Sequence, residues 1–204
     1  MTDGAGEAAA SAGLAPEDEA RAAIYGLIAR LFYAPPDQDV LAQILHSGAF
    51  DGSAEPVALA WRELVDACRN AFPVVLENEH TALFVGTGKA ELTPYLTHYT
   101  IKYATDNPLV ELRQQLGRWG MQRKENANEP EDHVAGIFEA MRFAIAVQHR
   151  TIEEQKTFFE RFIYRGGAAF CDQVTASGKS DFYKRVAHFA RAFLELERAA
   201  FEMS

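Results

Sequence analysis

From Pro16 to the C-terminus, apolar residues recur at helical spacing with few breaks. No stretch alternates apolar and polar residues for long enough to make a strand. A period of 3.6 gathers apolar side chains on one stripe of a helix, whereas a sheet needs a period of two. The pattern therefore predicts an all-α fold, a single-domain irregular helical bundle over residues 16–204. Residues 1–15, "MTDGAGEAAASAGLA", are small and lack periodicity, so they are expected to be disordered.

The spacing predicts helices over Glu17–Tyr33, Asp37–Leu45, the segment "SAEPVALAWRELVDACRNAF", residues 74–85, Leu109–Met121, and residues 129–149, 152–176 and 180–202. Leu59, Leu64, Val65 and Cys68 are read as inward positions of the third helix. Phe158, Phe159, Phe162, Tyr164 and Phe170 are read as core. Ser180 is the expected N-cap of the last helix. One irregular stretch, "GTGKAELTPYLTHYTIKYATDNP", is too long for a mere connection and is a functional candidate on length alone.

Composition excludes several classes of function. A net charge of −9 argues against a nucleic-acid partner and favours a basic one. The 2 cysteines, Cys68 and Cys171, are neither a disulfide framework nor a metal knuckle, and read as small core residues. No Lys or Arg precedes Arg21, so no charged start of a secretory signal is seen. "AAIYGLIARLFYA" is broken by Arg30, and no apolar run reaches the length of a membrane span.

Motifs with catalytic or metal-binding chemistry are weak. "GTGK" at 86–89 lacks the earlier glycine and the following Ser or Thr of a phosphate loop. "ENEH" is a single Glu-x-x-His, Glu77 to His80, where a di-metal bundle needs a second copy and further inward glutamates. No metal and no cofactor is therefore expected. The segment "NANEPEDHVAGIFEAMRF" is more informative. Asn128 with Glu131 matches a capping box, and Pro130 suits a first helical turn. His133 shares a face with Ile137 and Met141. It is either a satisfied core-edge group or a site residue.

Two of these segments together resemble the TorD/DmsD/NarJ family of redox-enzyme maturation chaperones. "EHTALFVG", Glu79 to Gly86, followed by Pro94, Tyr95 and Tyr99, is similar to the family's first signature; "EPEDH", Glu129 to His133, is similar to its second. "SDFYKRVAHFARAFLELE" is a weaker third match. In the penultimate helix the family often has a His followed by a Trp, and here Gly166 stands near the expected tryptophan.

The resemblance implies a TorD-like helical bundle that acts as a cytoplasmic chaperone. It implies a partner, the apo catalytic subunit of a molybdenum oxidoreductase, often bound at its twin-arginine signal until the molybdopterin cofactor is inserted. The implied client-binding residues are Asp132, His133, Glu129, Glu131, Pro94, Tyr95, Leu96 and Glu79. The acids would meet arginines, Asp132 and His133 would serve the client directly, and Leu92, Pro94, Tyr95 and Leu96 would form an apolar lip. No catalysis, nucleic acid or stable membrane insertion is expected, and the chain would be a monomer or homodimer. Two other readings remain open: a helical metal-dependent enzyme using Glu77, His80, Asp132 and His133, or an acidic helical adaptor.

Overall fold

A computed structural model describes residues 13–48, 55–86, 90–103, 106–122 and 129–204. Among these the regular structure is helical, and no strand is present. In chain order the helices are α1 (Pro16–Tyr33), α2 (Gln38–His46), α3 (Glu55–Arg69), α4 (Pro73–His80), α5 (Pro108–Arg118), α6 (Val134–Ala146), α7 (Ile152–Phe158), α8 (Arg165–Ala176) and α9 (Phe182–Met203). A π-helical turn, Thr81–Val85, extends α4. A second, Phe159–Tyr164, joins α7 to α8. The expected helices over 74–85 and 152–176 are thus single runs, each with a widened turn inside it. The central loop carries a short 3₁₀ turn, Leu96–Tyr99.

Helix α1 packs along α6, and α9 packs on both α8 and α3. Aromatic rings fill the space between them. Tyr25 meets Phe138 and Phe193, with centroids 5.6 and 4.9 Å apart. Phe32 meets Phe170 at 5.0 Å and Phe84 at 6.0 Å. Phe158, Phe159, Phe162 and Phe170 are buried as expected, and Tyr164 is half-buried. Cys68 and Cys171 are free and buried, and burial pushes both thiols up to about 12. Leu59 departs from expectation: it is exposed, and the inward face of α3 runs through Val57, Ala60, Trp61, Leu64 and Cys68 instead.

A polar clasp ties the N-terminal helix to the C-terminal one. Arg21 donates from Nε and Nη2 to the two carboxylate oxygens of Glu197, at 2.8 and 2.9 Å. The Tyr25 hydroxyl donates to the same carboxylate at 2.9 Å. Glu197 is 2% exposed, and these partners offset its loss of water.

Of the N-terminal stretch expected to be disordered, residues 1–12 lie outside the described residues. Leu14 packs against the core. Asn128, the expected cap, also lies outside them.

Candidate functional site

The start of α6 departs from the sequence reading. The helix begins at Val134, not near 129, and its N-cap is His133. The His133 Nδ1 accepts from the backbone N–H of Ala135 at 3.2 Å. A capping box does occur in the chain, but at Thr151 and Glu154, where α7 starts. Residues 129–133 are thus a non-helical lead-in, free to pair with something else. They pair with the central loop.

Tyr95 and His133 form an isolated antiparallel bridge. The Leu96 N–H donates to the Asp132 carbonyl at 2.9 Å, and the Val134 N–H donates to the Pro94 carbonyl at 2.8 Å. Side chains reinforce the join. The Tyr95 hydroxyl donates to Glu129 at 2.9 Å. The Thr97 hydroxyl donates to Asp132. The Tyr95 ring meets the His133 ring edge-on at 5.9 Å. The two segments that were similar to the family's motifs come close to one another here.

Around His133 the site becomes aromatic. Tyr33, the last residue of α1, lies edge-on to the imidazole with centroids 6.4 Å apart and is 61% exposed. His133 itself is 7% exposed, held between Tyr33 and Tyr95. Burial pulls its pKa below the usual imidazole value, and the nearby His80 acts the same way, while Glu129 and Asp132 oppose them. His80 ends α4, packs edge-on against Phe84 at 5.2 Å, and its pKa is also lowered by burial. Burial, then the bond to Glu129, raises the Tyr95 phenol.

The sequence-expected residues divide into two groups. Glu129, Tyr95 and His133 come together at the bridge: Tyr95 bonds Glu129 and its ring meets the buried His133 ring. Asp132 is 4% exposed, so its carboxylate braces the loop through Thr97. Glu131 faces α5 and takes both Nε and Nη2 of Arg113 at 3.0 Å. The expected apolar lip is not formed. Leu96 is fully buried, Leu92 and Pro94 are buried too, and Pro94 and Leu96 contribute through their backbones.

Glu79 is placed elsewhere. Its carboxylate accepts from the backbone N–H groups of Asp181, Phe182 and Tyr183, at 2.8, 3.1 and 2.9 Å. It caps α9 from another helix, so Ser180 is not the cap. The negative charge also suits the positive end of the helix dipole. Glu79 further lines a groove of about 630 Å³ between α3, α4 and α9, with Phe72, Val75, Leu76 and Phe182 among its walls.

Tyr33, Thr97 and His80 were not singled out by sequence as members of one client surface. Tyr33 left one readable signal: a large aromatic at a helix end, off the buried stripe, just before "APP". Thr97 left none, because only the fold brings it to Asp132. Gly166, the departure from the family pattern, has a packing reason. A Cβ there would lie 2.7 Å from the Leu96 carbonyl, so the loop backbone rests directly on this glycine.

No metal site is assembled among the described residues: no group of three or more His, Cys, Asp or Glu converges. Glu77 is exposed while His80 is buried, so the Glu-x-x-His pair does not point into one space. Among the described residues no helix is long and apolar enough to cross a membrane.

The nitrate reductase delta subunit family model matches residues 51–172, more than half of the 204. Chaperone protein TorD of Vibrio cholerae O1 El Tor is 25% identical over 202 residues, covering 89% of this chain and 91% of that protein. TorD of Vibrio parahaemolyticus is 26% identical over 165 residues, covering 72% and 76%. A crystal structure from Archaeoglobus fulgidus, described as a redox enzyme maturation protein, superposes with a TM-score of 0.52 at 18% identity; it covers 93% of this chain and 98% of that one, and shows a shared fold. The chain therefore belongs to the TorD/NarJ family, whose members are chaperones of molybdoenzyme maturation.

Proposed function

We propose that the surface around the Tyr95–His133 bridge binds the apo catalytic subunit of a molybdenum oxidoreductase. The part bound is the client's N-terminal signal, with its paired arginines and following apolar segment. The chain acts by holding this client while its cofactor is inserted, performs no chemistry of its own, and works in the cytoplasm.

One observation carries the reading. The central loop and the lead-in to α6 are distant in sequence, yet a backbone bridge brings Tyr95, Glu129 and the buried His133 together beside the exposed Tyr33. Glu129 supplies a carboxylate for a guanidinium. Tyr33 and Tyr95 supply aromatic faces, which attract both guanidinium groups and apolar side chains. The net charge of −9 favours encounter with a basic segment.

The test is co-purification with molybdoenzyme subunits of the same organism, followed by calorimetric titration. The titrant is a synthetic peptide from such a subunit's N-terminus, carrying two consecutive arginines and an apolar stretch. Binding that drops about tenfold or more in Tyr33→Ala and Glu129→Gln supports the reading. Wild-type affinity in both variants would place the client elsewhere on the molecule.

A further inference from the structure

A histidine as the N-cap of α6 is an unusual choice, because most caps do not titrate near neutrality. The cap requires the Nδ1 lone pair: the Ala135 N–H donates to it at 3.2 Å. A neutral ring with an occupied Nδ1 carries its proton on Nε2. A second proton has only Nδ1 to go to, where it would face the Ala135 N–H. Protonation and capping are therefore mutually exclusive.

The consequence reaches the site. Residue 134, next to the cap, supplies one of the two backbone bonds that join the central loop to the lead-in of α6, Val134 N–H to the Pro94 carbonyl. Leu96 N–H to the Asp132 carbonyl is the other. Loosening the cap loosens the join that carries Tyr95. Protonation would also place a positive charge beside Glu129, the carboxylate offered to a cationic client.

We propose that His133 makes client binding proton-linked: the neutral ring locks loop and helix around a cationic client, and the protonated ring releases it. This deepens the proposed function and rests on it, since it assumes that the bridge surface is where the client sits.

The groups facing the ring come from every element around it. Glu129 and Asp132 flank it in its own segment and favour a proton on it. His80, at the end of α4, disfavours one, and Arg30 of α1 acts on His80 in the same sense. Tyr33 from α1 and Tyr95 from the loop cover it with neutral phenols. Arg113 of α5 is engaged by the neighbouring Glu131. Burial is the largest influence and also disfavours the proton. The net direction is a ring that is neutral near pH 7. A bound guanidinium pushes the same way. Affinity is therefore full at and above the ordinary imidazole range, and falls as pH drops through the ring's own lowered pKa, which lies below that range.

The test uses the full chain and the two-arginine peptide described above. Titrations at about pH 7.5 and about pH 5, well below the ordinary imidazole value, give an affinity ratio. Wild type should bind more weakly at the lower pH, by about threefold or more. His133→Asn retains a capping oxygen but cannot titrate, and its ratio should fall toward one, carrying only what the carboxylates contribute. Thermal melts at both pH values check that the chain is folded. Repeating the titration at about pH 6 in two buffers of different ionisation enthalpy counts protons: wild type should release a fraction of one on binding, and His133→Asn none. Equal wild-type affinity at the two pH values, or an unchanged ratio in His133→Asn, overturns the inference. A wild-type chain that ignores the peptide at both pH values overturns the functional reading itself, and this inference with it.

Discussion

At the scale of single residues, the candidate site is built from side chains that hold one another in place. Asp132 illustrates this. A carboxylate near a helix start was expected to be open to a cation, yet it is almost wholly buried and receives the Thr97 hydroxyl. A hydrogen bond to a charged acceptor contributes about 1.5–3 kcal/mol, and removal of either partner leaves the other unsatisfied. Asp132→Ala and Thr97→Val should each destabilise the fold, and the double variant should lose less than the sum. The coupling expected from a urea double-mutant cycle is about 1–2 kcal/mol. Strict additivity would show that the pair is not coupled and that Asp132 is available to a partner.

At the scale of elements, two helix starts are capped in ways that local sequence rules miss. Helix α6 is capped by a histidine, and α9 by Glu79 from α4. Glu79→Ala leaves three backbone N–H groups at the start of α9 without their carboxylate. A loss of about 2 kcal/mol is expected, with Glu79→Gln recovering part of it. Denaturant unfolding measures both; equal stability of the alanine variant and wild type would remove Glu79 from the capping role. Client affinity should change little, because Glu79 belongs to the α4–α9 junction and not to the bridge. Gly166 sets the other inter-element contact. A methyl group there meets the Leu96 carbonyl at 2.7 Å, and backbone cannot yield as a flexible side chain can. Gly166→Ala should cost about 1–3 kcal/mol and shift the loop that carries Tyr95, lowering peptide affinity as well. Wild-type behaviour in both measurements would mean that α8 and the loop separate freely.

Across the whole molecule, the Arg21–Glu197–Tyr25 clasp fixes the first helix to the last. Removing Glu197 leaves a half-buried guanidinium with Asp18 as its remaining carboxylate, and a buried phenol without its acceptor. Glu197→Ala should destabilise the chain by about 3–5 kcal/mol. Replacing the pair together, Arg21→Met with Glu197→Leu, should recover only part of that, since the charges are removed but the buried Tyr25 hydroxyl still lacks its acceptor. Thermal or urea melts of the single and double variants decide it. A double variant as weak as the single one would show that the clasp has a role beyond mutual neutralisation.

The sequence by itself determined the helical class, most helix positions and much of the core, because a period of 3.6 in apolar residues is local information. It also contained the two segments that form the site, since their residues stand in motifs similar to the family's. It misjudged what those residues do. Pro94 and Leu96 read as apolar surface, but their side chains are buried and they contribute backbone groups. Leu59 read as core and faces outward. Glu79 read as a client residue and caps a helix about a hundred positions away. His133 read as a choice between core edge and site, and it is a cap whose ring lies within the candidate site. Apart from the His133 cap, which is made to Ala135 two residues on, these placements depend on packing between elements distant in sequence. A carboxylate or an imidazole has the same local pattern whether it faces water, a hydroxyl or a helix end, so only the packing of the loop against α6 and α8, and of α4 against α9, could decide among them.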